Sequence, residues 1–317
     1  MKILISCLSF NSYTGSELYV YELARELARE HDVDIISGNV GGDLVDRVSV
    51  SGVKCYDIKS PPNYFLGDGQ KQYIINGEIK TTVKGNYYKL SNDTKYDLML
   101  LSHPAISQLI LDLYDAPALN IVHSEVLPKF EYPLKHKNVK GYITVRQSIK
   151  DYLIDQCGIE DNKIKVVFNP VDTERFNDQN TSDKGYVLFV GSYDYLRKKS
   201  IEHLIDRAEQ LGKELWLVGR GYPDFQKSWV KTFEPTWDVE NFTKKCSSVA
   251  SVMWGRTVIE GNLCRKSAIV YDVDEQGNIV NIHNLPYMPI LGVNPKNVVK
   301  EILSFAYEKN ISNIRYN

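Results

Sequence analysis

The chain has 317 residues, a formal net charge of −2, 25% charged and 43% hydrophobic residues. That length suits two domains that each bury a core, and the balanced charge excludes the global field of a nucleic-acid or acidic-membrane binder. The five cysteines, Cys7, Cys55, Cys157, Cys246 and Cys264, are scattered without a CxxC pair, which suits reduced thiols in a cytosol better than disulfides or a zinc site.

In chain order, MKILISCLSF has one basic residue and no small-residue cleavage site, so it reads as a first strand and not a signal peptide. A helix follows with Val20, Leu23, Ala24, Leu27 and Ala28 on one face, then the strand VDIIS. This is the βαβ pattern of a parallel sheet. Between positions 61 and 95 the pattern gives way to a Tyr-, Gly- and Lys-rich stretch, expected to form hairpins and loops inserted at one edge of the first domain. The rhythm returns as YDLMLLS, a helix over about 105–114, LNIVHS, GYITV, a helix over 148–156 and IKVVFNP.

After the polar run NDQNTSDKG a second series starts: YVLFVGS, a helix from Ile201, ELWLVGRG, VKTF, a helix near 239–246 and SAIVYDV. A terminal helix over about 295–309 carries Val298, Val299, Ile302, Leu303 and Ala306. The fold class expected is α/β with two Rossmann-like doubly wound domains facing each other across a cleft. The N-terminal domain is placed at 1–175 with its insertion at about 61–95, and the C-terminal domain at 176–317, its last helix packing back on the first. No stretch reaches the roughly 20 apolar residues that span a bilayer, so the protein is expected in the cytoplasm or peripheral to a membrane.

In doubly wound domains ligands bind beyond the carboxyl ends of the strands, where loops lead into helix N-termini. After the first strand, Gly15 in TGSEL permits close backbone approach and the helix starts with free N–H groups near Ser16 and Glu17, an anion site or simply a helix cap. In FVGSYDYLRKKSIEHLI, Gly191 and Ser192 end a strand and Arg197, Lys198 and Lys199 precede a helix. A diphosphate held between Gly15 and Lys199 would use this pairing, although three adjacent cations also suit a solvated surface.

In VMWGRTVIEG, Gly255 and Arg256 precede a helix expected to begin near Thr257, with Glu260 in its first turn. The amides of Thr257 and Val258 are placed to hold phosphate while Glu260 accepts from ribose hydroxyls; as a first-turn carboxylate Glu260 also suits the helix dipole. His123 closes LNIVHS, again at a strand end, where it can meet the donor or the leaving oxygen.

At these residues the chain resembles family 4 of the retaining GT-B glycosyltransferases over nearly its whole length. TGSELYVYELARELA resembles the family's GG-x-E start and following helix. KIKVVFNPVDTERF resembles its interdomain Asn-Gly-Val-Asp signature, with Pro170 in the glycine place. LFVGSYDYLRKKSIEHLI resembles the strand that carries Gly-Arg and a later Lys-Gly, with Lys199 matching the diphosphate-binding lysine and Ser192 standing where arginine is usual. The segment around Glu260 resembles the paired-glutamate motif, but Val252 stands in place of the first glutamate.

The resemblance implies transfer from a nucleotide diphosphate sugar with retention, with no metal and no cofactor besides this co-substrate, and with the donor phosphate helping to accept the acceptor's proton. It also implies that Glu260 lies at the ribose and His123 beside the transferred sugar, making these two the catalytic candidates. The donor-binding candidates are Gly15, Ser16, Gly191, Ser192, Arg197, Lys199, Arg256, Thr257, Val258 and Glu260.

Another dinucleotide-dependent enzyme is disfavoured because SFNSYTGSE stands where GxGxxG would follow the first strand. A non-catalytic nucleotide-sugar binding module is left open by Ser192 and Val252. For the acceptor, Lys129, Lys135, Lys137 and Lys140 belong to a basic strip that also contains Arg146 and Lys150. The insertion mixes Lys71, Lys80, Lys84, Lys89 and Lys95 with Tyr73, Tyr87, Tyr88 and Tyr96. These suit an anionic acceptor, either a glycan or lipid carrier or a hydroxymethylated base in DNA.

Overall fold

The apolar runs become strands and the periodic stretches become helices in the computed structural model, which describes residues 1–57, 94–127 and 131–311. Contacts divide the chain into two compact units. The first contains Met1–Ser12, Ser16–Val167 and Val298–Asn317; the second contains Tyr13–Gly15 and Phe168–Asn297. The stretch from 61 to 93, expected as an insertion, lies outside the described residues.

The first unit is built from β1 (Lys2–Cys7), α1 (Gly15–Leu27), β2 (Asp32–Ser37), α2 (Gly42–Ser49), β3 (Lys54–Asp57), β4 (Leu98–Ser102), α3 (Pro104–Leu113), β5 (Ala118–Val122), β6 (Val139–Thr144), α4 (Gln147–Asp155) and β7 (Ile164–Val166). Its sheet runs in the order β3-β2-β1-β4-β5-β6-β7, with every pairing parallel. Every residue of β4 and of β5 is buried, because central strands of a parallel sheet are covered on both faces and read as continuous apolar runs. Pro104 opens α3, a position where its missing N–H costs nothing.

The second unit adds β8 (Tyr186–Val190), α5 (Lys198–Gln210), β9 (Glu214–Val218), β10 (Val230–Phe233), α6 (Glu240–Thr243), β11 (Ser248–Val252), α7 (Arg256–Leu263), β12 (Ser267–Val273) and β13 (Ile279–Leu285). Its sheet order is β10-β9-β8-β11-β12-β13, parallel apart from the antiparallel β13. Gly261 lets α7 lie against β11, since a Cβ there would stand 2.5 Å from Val249 Cγ2.

The final helix, α8 (Pro295–Glu308), returns to the first unit from Val298 onward. Its Phe305 ring occupies the space above Gly141, whose added Cβ would stand 2.9 Å from Cε1.

Several elements differ from expectation. α2, β3 and β13 were not anticipated: β3 and β13 are half-exposed edge strands, so neither needs a continuous apolar run. The helix expected over 239–246 shortens to the single turn of α6. α5 begins at Lys198, three residues before Ile201. In both sheets the strand order reverses between two neighbours, β1 and β4 in one, β8 and β11 in the other, and the carboxyl ends at such reversals are where doubly wound folds bind ligands.

Candidate functional site

At the reversal in the first unit, β4 leads into His103 and β5 into His123. The two imidazoles stack with centroids 5.5 Å apart, and Tyr19 from α1 meets His123 edge-on at 5.1 Å. His123 Nε2 lies 3.1 Å from Ser102 Oγ. Behind it, Ser6 Oγ accepts from the Ser102 N–H at 3.2 Å and Ser107 Oγ donates to the Ser102 carbonyl at 2.8 Å. Glu131 completes the group: one carboxyl oxygen sits 3.3 Å from His103 Nε2, and the other accepts the His123 main-chain N–H at 3.3 Å.

Burial keeps this cluster short of charge. It lowers His103 to about 4, and it holds His123 well below the ordinary imidazole value, helped by His103 and Arg146. Burial pushes Glu131 up to about 8, against the opposing pull of the His123 N–H and the Arg146 charge. Arg146 grips both oxygens of Glu125 and so is not a free cation. The hydroxyls of Tyr19 and Thr144 are buried with no hydrogen-bond partner among the described residues.

Gly15 begins α1 with open space where a Cβ would stand, beside the half-buried Ser16. The adjacent Glu17 is 3% exposed and accepts the Asn11 N–H at 3.2 Å. A carboxylate in this first turn already answers the positive end of the helix, which weakens the expected anion site.

In the second unit, Gly191 and Ser192 follow β8, and the β9 loop crosses them at backbone contact: a Cβ on Gly219 would stand 1.9 Å from the Gly191 carbonyl oxygen. Tyr193 N–H donates to the Arg220 carbonyl at 2.8 Å, and Tyr222 Oη donates to the Gly191 carbonyl at 2.5 Å. The expected cations are tied locally. Arg197 pairs with Asp194, and Lys199 Nζ donates to Asn278 Oδ1 in the β12–β13 turn.

At the end of β11, Met253 takes φ 64, a conformation costly for a residue with a side chain. Gly255 then caps α7 with open space around it. The Val258 amide, expected to hold phosphate, instead donates to the Gly255 carbonyl at 3.1 Å, leaving Thr257 at the helix start. Arg256 also turns inward. It is 7% exposed, its Nε donates to Glu260 Oε1 at 2.6 Å and its Nη1 to the Pro170 carbonyl at 2.8 Å. It therefore secures Glu260 and the NPVD segment where a direct donor contact was expected, because an internal carboxylate needs a charged partner.

Of the basic strip, Arg146 stands just past the carboxyl end of β6 and is paired with Glu125, whereas Lys137 and Lys140 lie at the other end of that strand. Lys140 is the second residue of β6 and Lys137 lies just ahead of it, at the amino end of a strand about 17 Å long. Lys137 pairs with Asp115 at 3.6 Å, Lys140 donates to the Lys137 carbonyl at 2.9 Å, and Lys135 is exposed. Lys150 pairs with Asp161 at 2.6 Å. Acids distant in sequence thus answer much of the strip's positive charge. Tyr96 is core, 6% exposed, with its hydroxyl donated to Asp34 at 2.9 Å. Lys129, Lys71, Lys80, Lys84, Lys89, Tyr73, Tyr87 and Tyr88 lie outside the described residues.

Among the described residues no helix is long and apolar enough to cross a membrane, and no three His, Cys, Asp or Glu side chains are grouped to hold a metal. Sequence reasoning found His123 but missed His103, Glu131 and the Gly219–Tyr222 loop. The available signals were the His-Pro pair closing YDLMLLS and the second glycine-bearing strand end, LVGRG.

The family described as Glycosyltransferase Family 4 matches residues 13–175. Among solved structures, the chain is similar to a glycosyltransferase from Rickettsia africae, at 16% identity and TM-score 0.57 over 99% of this chain and 90% of that one. It is similar to HepE of Anabaena in complex with UDP-glucose, at 15% identity and TM-score 0.61 over 98% and 92%. It is also similar to a TarM variant of S. aureus in complex with fondaparinux, α-GlcNAc-glycerol and UDP, at 10% identity and TM-score 0.59 over 99% and 97%. At these identities the likeness is one of fold. No curated protein matches the sequence.

Proposed function

The chain belongs to glycosyltransferase family 4, and from that premise we propose that it transfers a sugar from a nucleoside diphosphate sugar to a hydroxyl acceptor, with retention and without a metal. The observation that carries the reading is the α7 start. Gly255 caps a helix that opens at the β8–β11 reversal, has open space beside it, and directs the first-turn amides, Thr257 foremost, toward an anion. The UDP complexes of HepE and TarM make UDP-sugars the first donors to test.

In this reading the carbon–oxygen bond to the diphosphate breaks, the acceptor oxygen bonds the same carbon on the same face, and the leaving phosphate takes the acceptor's proton. Glu260, held by Arg256, sets the ribose, and His123 meets the sugar. The acceptor is read as a glycan or glycan-lipid hydroxyl. The TarM complex with α-GlcNAc-glycerol supports that choice, and a hydroxymethylated DNA base is the second acceptor class to test.

The test is nucleoside diphosphate release from a panel of UDP-, GDP- and ADP-sugars with oligosaccharide, glycerol-linked and hydroxymethylated-DNA acceptors, with NMR of the product anomer. Release with one donor and a retained anomeric configuration is expected, unchanged by EDTA. Donor binding by calorimetry with no release across the whole panel would instead leave a binding module.

A further inference from the structure

The proposed reaction leaves Glu131 without a role, although this residue is 5% exposed and meets both histidines. Leu8 N–H donates to His103 Nδ1 at 3.3 Å. The neutral ring therefore carries its proton on Nε2, where Glu131 Oε1 lies 3.3 Å away. His103 is held at φ 62 and ψ 101, a conformation that persists only where the surroundings over-determine it; the Leu8 amide on one side of the ring and Glu131 on the other supply that constraint.

We propose that Glu131 is the positioning residue of this site: one carboxylate oxygen faces the Nε2–H of His103 and the other accepts the main-chain N–H of His123, so that the two imidazoles move as a unit. The inference rests on the transferase reading above. His123 is already fixed on its Nε2 side by Ser102 at 3.1 Å. Among the described residues its Nδ1 has no hydrogen-bond partner, which leaves that nitrogen for a sugar hydroxyl. A displaced Glu131 would let the strand-end turn carrying His123 shift and carry that nitrogen out of register.

The charged and titratable groups facing Glu131 are His103 from the β4–α3 turn, His123 from the end of β5 and Arg146 from the β6–α4 turn, the last neutralised by Glu125. Both groups that Glu131 meets present N–H donors. A proton on the carboxyl therefore has no acceptor there and removes one accepting oxygen, so the clamp loosens as pH falls. Burial, which favours the protonated form and pushes Glu131 up to about 8, places that loosening just above neutral pH, so the clamp closes on the alkaline side of it.

The test compares the full chain with Glu131→Gln, whose amide offers one acceptor oxygen to two donors. We expect kcat to fall about 100-fold, the cost of a misplacement on the order of 1 Å. The donor KM should stay within about twofold, and the acid limb of the wild-type kcat profile should flatten. Unchanged kcat and pH profile in the variant, or a loss accounted for by a smaller folded fraction, overturns the proposal.

If Glu131→Gln fails to fold, His103→Gln replaces it and must show the same change in acid limb; a wild-type profile there is equally fatal. Imidazole ¹⁵N NMR of the wild type needs no turnover. A His103 Nε2–H that responds to the Glu131 titration supports the clamp even if no donor is consumed, and a His103 protonated on Nδ1 rejects it.

Discussion

The Arg256–Glu260 pair shows how a residue in a binding motif can also carry stability. Both side chains are nearly inaccessible, and removing one partner of a buried pair leaves a charge in a medium that cannot solvate it, a loss of about 3 to 5 kcal/mol. Glu260→Ala is therefore expected to destabilise the second unit by about 3 kcal/mol in urea unfolding, and Glu260→Gln by less. Donor affinity in these variants has to be read at a temperature where both are folded. A Glu260→Ala protein of wild-type stability would show that the ion pair does not hold α7. Glu260 was legible as a motif residue. Its partner was not, because Arg256 was taken to face the donor and only the fold shows it turned inward.

At the scale of elements, two glycines set how closely pieces pack. A Cβ on Gly219 would stand 1.9 Å from the Gly191 carbonyl oxygen, and one on Gly261 would stand 2.5 Å from Val249 Cγ2. Gly261→Ala meets a side chain that can shift and is expected to cost about 1 to 3 kcal/mol. Gly219→Ala meets backbone and should cost more, weakening donor binding because it parts the β8 and β9 loops. Calorimetry that shows Gly219→Ala binding the donor as wild type does would separate that loop crossing from the site. Reversing Lys137 and Lys140 to glutamate is expected to leave sugar transfer unchanged, since they lie at the amino end of β6; acceptor kinetics decide this.

Across the molecule, α8 makes a segment distant in sequence part of the first unit's core. Ile302 and Ala306 are fully buried, and Phe305 packs at Gly141. Deleting residues 298–317 should lower the melting temperature of the first unit and leave the 168–297 unit's transition in place, as calorimetric scanning can resolve.

The buried cluster also shapes stability against pH. His103 and His123, with pKa values lowered in the fold, bind protons more readily when unfolded, so stability rises with pH up to about 6.5. Glu131, raised to about 8 in the fold, keeps its proton longer when folded, so stability then declines between about 6.5 and 8. Glu131→Gln should remove that decline from the melting profile.

The βαβ rhythm, the two glycine-bearing strand ends and the address of His123 were decided by the sequence, because apolar period, turn residues and strand-terminal position are local properties. The edge strands β3 and β13 were not, since a half-exposed strand carries little apolar signal. Nor were the pairing of Lys137 with Asp115, the inward turn of Arg256 or the meeting of His103 with Glu131. Each joins groups whose proximity depends on strand order or helix facing, and only the folded chain sets these.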